Sequence, residues 1–159
     1  MPEFRSLNEL KEFLENAVVK ALNDEPPKVI KRIMREHIKE DVYDVYPFPK
    51  VYQRRYDGSG GLYDENMTIS ETPNEKTLEV YNIAKRNLNY MNEYLAPVIE
   101  YGHNRAESKG YRGYTYIRPH LRYYYPRPFV RNTYLELVQS LEHVEAFKKS
   151  LKKYGIDSE

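Results

Sequence analysis

The chain has 159 residues, 40% of them hydrophobic and 31% charged, with a formal net charge of +1; such a length suits one domain with a single core, and the composition excludes disorder as the default reading. It contains no cysteine, which excludes disulfides and Cys-based zinc or iron–sulfur sites and fits synthesis in a cytosol. No apolar run approaches the ~20 residues a membrane span needs, and "MPEFRSLNEL" lacks the basic-then-apolar layout of a signal peptide, so neither insertion nor secretion by that route is expected.

The first predicted element is an amphipathic helix over residues 6–23. Ser6 and Glu9 form a capping box, and Leu7, Leu10, Leu14, Ala17, Val18, Ala21 and Leu22 recur on one face. Pro26 and Pro27 cannot continue that helix but can begin another, predicted over 27–45 with Ile30, Ile33, Met34, His37, Ile38, Val42 and Val45 inward. "YPFPK" ends it, because each residue before a proline is pushed toward extended geometry.

"VYQRRYDGSGGLYDENMTI" then reads as two extended pieces joined by a glycine turn at 57–61. No Gly-Lys-Ser/Thr follows, so the glycines are not a phosphate loop. Alternation predicts strands over 62–70 and 76–83, and "APVIEYG" reads as a further strand stopped by Gly102. A last helix is predicted over 133–154, with Thr133 and Glu136 as a second capping box and Leu137, Val138, Leu141, Val144, Phe147 and Leu151 inward. Helices, then strands, then a helix make an α+β fold: N-terminal helices, a small largely antiparallel sheet, and a C-terminal helix packed on it. No internal repeat or linker appears, so residues 1–159 are expected to form a single domain, with a basic, Tyr-rich insertion at about 103–125.

Catalytic signals are thin. His37, His103, His120 and His143 lack metal-site spacing; His37 lies on an apolar helix face, where a core or edge histidine is the plainer reading, and His143 sits among charged residues and is expected to face solvent. Acidic neighbours such as Glu40 with Asp41 and Asp64 with Glu65 are expected by chance among 24 carboxylates. No Gly-x-Ser-x-Gly elbow occurs. An enzyme is therefore not expected, nor is any cofactor or metal.

The informative feature is charge placement. From His103 to Arg131 there are seven basic residues, Arg105, Lys109, Arg112, Arg118, Arg122, Arg127 and Arg131, against Glu107 alone; that is +6, and since the whole chain is +1 the remainder carries −5. Tyr111, Tyr114, Tyr116, Tyr123, Tyr124 and Tyr125 are interleaved, in a chain with 17 Tyr and no Trp. Arginine with aromatics can track phosphates and stack bases, with steep salt dependence. It is also the composition of a protein interface, where Tyr and Arg are enriched, and that reading is preferred here. Compositional drift and a merely solvated loop are the plain alternatives.

"VIEYGH" at 98–103 followed by "PRPFVRNTYLEL" at 126–137 resembles the head-to-tail joining or tail-completion (neck) proteins of long-tailed double-stranded DNA phages, which carry a similar Glu-Phe/Tyr-Gly strand end and a similar Arg/Gln-Pro-Phe approach to the closing helix. The resemblance runs from Leu7 to about Leu151 and departs at the 23 residues from His103 to Tyr125, onto which nothing of the family carries over. It implies a non-enzymatic virion protein, made in the host cytoplasm and located at the neck, acting as a homo-oligomeric ring. Its implied partners are portal-side connector or head-completion proteins and the tail tube or tail-terminator protein, with packaged DNA as a further contact and no membrane. Architecture is what transfers: Glu100, Tyr101 and Gly102 ending a strand, and Pro128 with Phe129 docking the last helix. Arg118, Arg122, Tyr123, Tyr124, Tyr125 and Arg127 are the candidate intersubunit or connector contacts. A nucleic-acid-binding protein using the same segment, and a neighbouring ring protein such as a tail terminator, are the rival readings.

Overall fold

A computed structural model describes residues 3–45, 58–85, 94–101 and 126–157. The order is α1 (Leu7–Leu22), α2 (Pro26–His37), a π-helical segment (Ile38–Asp44), a single 3-10 turn (Glu65–Met67), β1 (Thr68–Glu71), β2 (Glu79–Asn82), α3 (Leu95–Tyr101), α4 (Phe129–Ser140) and α5 (Glu142–Lys153). Among the described residues the fold is α+β and mostly helical, with one two-stranded antiparallel sheet and a closing helix. It has two compact units, one drawing on residues up to 34, 69–81 and 133 onward, the other on 35–68 and 82–132 so far as these are described.

In the first unit α1 starts as expected. Ser6 Oγ accepts the Glu9 N–H at 3.2 Å, while Glu9 Oε2 reaches one residue further back than in a standard box and accepts from the Arg5 N–H at 2.7 Å. α1 packs against α5, with Ala17 and Ala21 buried. Leu7 and Leu14 were expected on the same inward stripe, yet they are 84% and 39% exposed. Periodicity sets the direction of a stripe but not how far along the helix a neighbour reaches.

Between α1 and α2, Asp24 accepts from Lys153 Nζ at 2.8 Å and lies 3.8 Å from Lys28 Nζ. The Lys153 hydrogen bond holds the Asp24 carboxyl below its ordinary value and raises the Lys153 ammonium above its own. Glu25 N–H meets Ser150 Oγ at 3.4 Å, and Arg32 pairs with Glu142. Pro26 and Pro27 are buried and occupy the first turn of α2, where a missing N–H costs nothing.

In the second unit the expected helix through Val45 becomes π-helical at Ile38. Ile38 and Val42 stay buried, but Val45 is 60% exposed. At about 4.4 residues per π turn, seven residues rotate Val45 to the side away from Ile38, whereas α winding would have kept the two together.

The glycine turn is present, with positive φ at Gly58 (74°) and Gly60 (70°), but the residues after it are not a strand. Buried Asp64 organises them: its Oδ2 accepts the Gly60 N–H at 2.8 Å, and its Oδ1 accepts Asn66 N–H and Nδ2 at 3.0 and 3.1 Å. The backbone donors of Gly60, then Asn66, hold this carboxyl below its ordinary value of 3.8 against the opposing effect of burial. Because the folded carboxyl binds a proton more weakly than the unfolded one, its contribution to stability is complete above about pH 4 and is lost as pH falls through the lowered value. Asp64→Asn is therefore expected to flatten the acid limb of stability, read as the denaturant midpoint between about pH 2 and 6. An unchanged limb would show that the loop does not depend on the ionised carboxylate.

The sheet is shorter than the alternation predicted, because Asp64 and the 3-10 turn claim the first residues of the expected 62–70 strand. Asn82 locks its end: Nδ2 donates to Leu62 O (2.9 Å) and Thr68 Oγ1 (3.0 Å), and Oδ1 accepts the Ala84 N–H (3.0 Å). Beyond the strands, Ile83 N–H donates to Met67 O at 2.7 Å.

Two further expectations are corrected. "APVIEYG" is not a strand: Leu95–Tyr101 is α3, burying Leu95, Ala96, Val98, Ile99 and Glu100. The last helix is not continuous: α4 ends at Ser140, Leu141 takes a left-handed conformation (φ 55°), and α5 restarts at Glu142. Leu141 O accepts from Val144 and Glu145 N–H at 2.9 and 3.1 Å, which opens α5.

Candidate assembly interface

The expected contact residues Arg118, Arg122, Tyr123, Tyr124 and Tyr125, and Gly102 of the motif, lie outside the described residues. The structure does place both feet of that segment. Arg127 N–H donates to Ile99 O at 2.9 Å, so the chain on the far side of the segment is tied back to α3, where the near side leaves. Arg127 is buried at 8% exposure and so belongs to the foot of the segment instead of projecting from it.

α4 begins at this foot. Pro128 O accepts the Asn132 N–H at 2.8 Å, making Pro128 the N-cap and Phe129 the first helical residue. Proline has no side-chain acceptor with which to cap, and Glu100 supplies one from α3: its buried carboxylate accepts the Val130 N–H (2.8 Å) and the Arg131 N–H (3.1 Å). A carboxylate at a helix N-terminus also meets the positive end of the helix dipole. The acid expected to end a strand therefore ends a helix and starts another.

Thr133, predicted as the cap, lies four residues inside α4 and is 2% exposed. Phe129 is fully buried, as expected for the residue that docks the helix. Close by, Asn132 Nδ2 donates to Asp41 Oδ2 at 2.9 Å, and the same oxygen lies 3.2 Å from Nδ1 of the mostly buried His37. His143, expected to face solvent, is half-buried. Among the described residues no group of three His, Asp or Glu side chains is placed to hold a metal ion, and no helix is long and apolar enough to cross a membrane.

Sequence reasoning missed the outer face of α4. Of its apolar side chains, Val130, Tyr134, Leu135 and Val138 are 41%, 64%, 42% and 51% exposed, and Leu141 just beyond is 51% exposed. Spacings of four, four and three place Val130, Tyr134, Val138 and Leu141 in one stripe. Tyr101, at the start of the basic segment, is 77% exposed. The signal was present in the sequence, since α4 carries more large apolar residues than one helix face can hold, but periodicity could not say which face the fold would cover.

The family model that matches the chain is YomN, over residues 6–153. The chain belongs to the YomN family. The family is phage-derived and Bacillus prophage-like, which points to a phage protein. No curated protein and no solved structure matches the chain. The matched range includes both motif stretches and the residues between them.

Proposed function

We propose that this YomN-family protein is a non-enzymatic structural component of a tailed-phage particle that joins head to tail as a homo-oligomeric ring. The observation that carries the reading is the outer face of α4: a stripe of exposed Val, Tyr and Leu side chains that begins at the end of a stretch, residues 103–131, with net charge +6. A surface of that size and character suits a chain that is covered on assembly. Phage membership and the motif resemblance direct the choice to a virion joint, with portal-side connector or head-completion proteins on one side and the tail tube or tail terminator on the other. Tyr123, Tyr124, Tyr125, Arg118 and Arg122 are the proposed neighbour contacts.

Direct imaging of purified particles tests this. A ring of density between capsid and tail that accommodates this chain is the expected result; its absence from the particle overturns the reading. Charge reversal at Arg118 and Arg122 is expected to leave separate heads and tails while the isolated subunit keeps its melting temperature. The second reading, a nucleic-acid binder, is favoured by the +6 segment, and predicts tight DNA binding that weakens steeply between low and moderate salt.

A further inference from the structure

We infer that the outer face of α4 is a self-complementary contact that pairs two copies of this chain, helix against helix and antiparallel. The inference shares its observation with the joining role and assigns that covered face to a second copy; a two-fold contact closes on itself, so the contacts that build a ring and meet head and tail come from other surfaces, the basic Tyr-rich segment among them.

Three observations select a second copy as the occupant. The first is the pattern: the stripe is apolar along its whole length, and turning one helix end over end about the midpoint between Tyr134 and Val138 sets each tyrosine against the other copy's valine and each end of the stripe, Val130 or Leu141, against the opposite end of the other. The tyrosine ring then covers a β-branched neighbour and its hydroxyl reaches the wet edge, which suits a surface that must also survive exposed.

The second is charge. Exposed Arg131 flanks the stripe at its N-terminal end, and Glu142, 47% exposed, stands just past its C-terminal end. Antiparallel pairing brings Arg131 of each copy to Glu142 of the other and sets the two helix dipoles side by side and opposed, whereas parallel pairing would set like charges together. Glu142 already pairs with Arg32, and one carboxylate accepts from two guanidinium groups.

The third is area. The exposed parts of these apolar side chains amount to on the order of 400 Å², the size at which an apolar patch marks an interaction site. Doubled, and with polar flanks at about a third of a homodimer contact, this gives roughly 1,200 Å², the lower bound for a stable pair. The pair is accordingly expected to be reversible, with a dissociation constant in the micromolar range.

Sedimentation velocity of the full chain over a concentration series is the first test. A shift from monomer to dimer across roughly micromolar to hundreds of micromolar is expected, and Tyr134→Glu should hold the protein as a monomer throughout with an unchanged melting temperature. Orientation is read by cross-linking, which is clean because the natural chain has no cysteine. A mixture of Tyr134→Cys and Val138→Cys subunits should oxidise mainly to the mixed disulfide. A monomer at every concentration would overturn the inference and leave the stripe to a different protein of the particle. Dimers that persist in Tyr134→Glu, or disulfides formed mainly between two Tyr134→Cys chains, would overturn it as well.

Discussion

Glu100→Ala is expected to destabilise the protein by about 2–4 kcal/mol, the loss of two charge-assisted hydrogen bonds from a buried carboxylate. Its two oxygens accept the Val130 and Arg131 N–H groups, which are donors that no turn of α4 can satisfy from within. Most caps come from the residue that begins the helix; here that residue is Pro128, and the acceptor comes from 30 residues away in sequence. The cost is therefore larger than the ~1 kcal/mol of an ordinary exposed cap. Glu100→Gln keeps one acceptor and is expected to lose about half as much. Denaturant unfolding at constant m value reads the total, and faster amide exchange at Val130 and Arg131 reads the local effect. A Glu100→Ala protein within about 0.5 kcal/mol of the parent would show that water replaces the carboxylate at no cost.

That cap also explains why this part of the fold was hard to read. Val98 and Ile99 are β-branched and stand before an aromatic and a glycine, a composition that favours a strand. Burial overrode it, since Leu95, Val98 and Ile99 fall at helical spacings and are all buried in α3. Pro97 was the missed signal: it sits in the first turn of α3, the one place a helix tolerates it. The α4 boundary failed for a related reason. Thr133 and Glu136 satisfy the local pattern of a capping box, but a long-range carboxylate satisfies the first-turn donors Val130 and Arg131 of a helix capped five residues earlier, at Pro128, and pattern reading sees only near neighbours.

Other elements were legible because their causes are local. Ser6 caps α1 through a donor three residues away, and the Pro26–Pro27 pair sets the start of α2. Gly58 and Gly60 take the positive φ that the turn demands. The break at Leu141 carried no such mark, since leucine rarely adopts φ near +55° and no glycine or proline announces it. Ending α4 there turns the single expected stripe of 133–154 into two faces, so Val138 and Leu141, expected inward beside Leu151, are exposed while Leu151 is buried. The candidate interface is a product of that break.

The largest single loss is expected from Phe129→Ala, about 3–5 kcal/mol, since the whole ring leaves a site with no solvent exposure and a cavity remains. Alanine's better helix propensity returns only a few tenths of a kcal/mol to set against it. Against a total stability of about 5–15 kcal/mol this brings the protein near unfolding at ambient temperature, and Phe129→Leu, which keeps most of the volume, should recover a large part of it. Tyr134→Ala on the same helix is the internal control: its ring is 64% exposed, so truncation is expected to change unfolding by no more than about 0.5 kcal/mol in a dilute, monomeric sample. A similar loss at both positions would mean that the exposed face is covered within the subunit. A large loss at Phe129 with none at Tyr134 means that α4 is held from one side by its own chain and offers the other to whatever docks there.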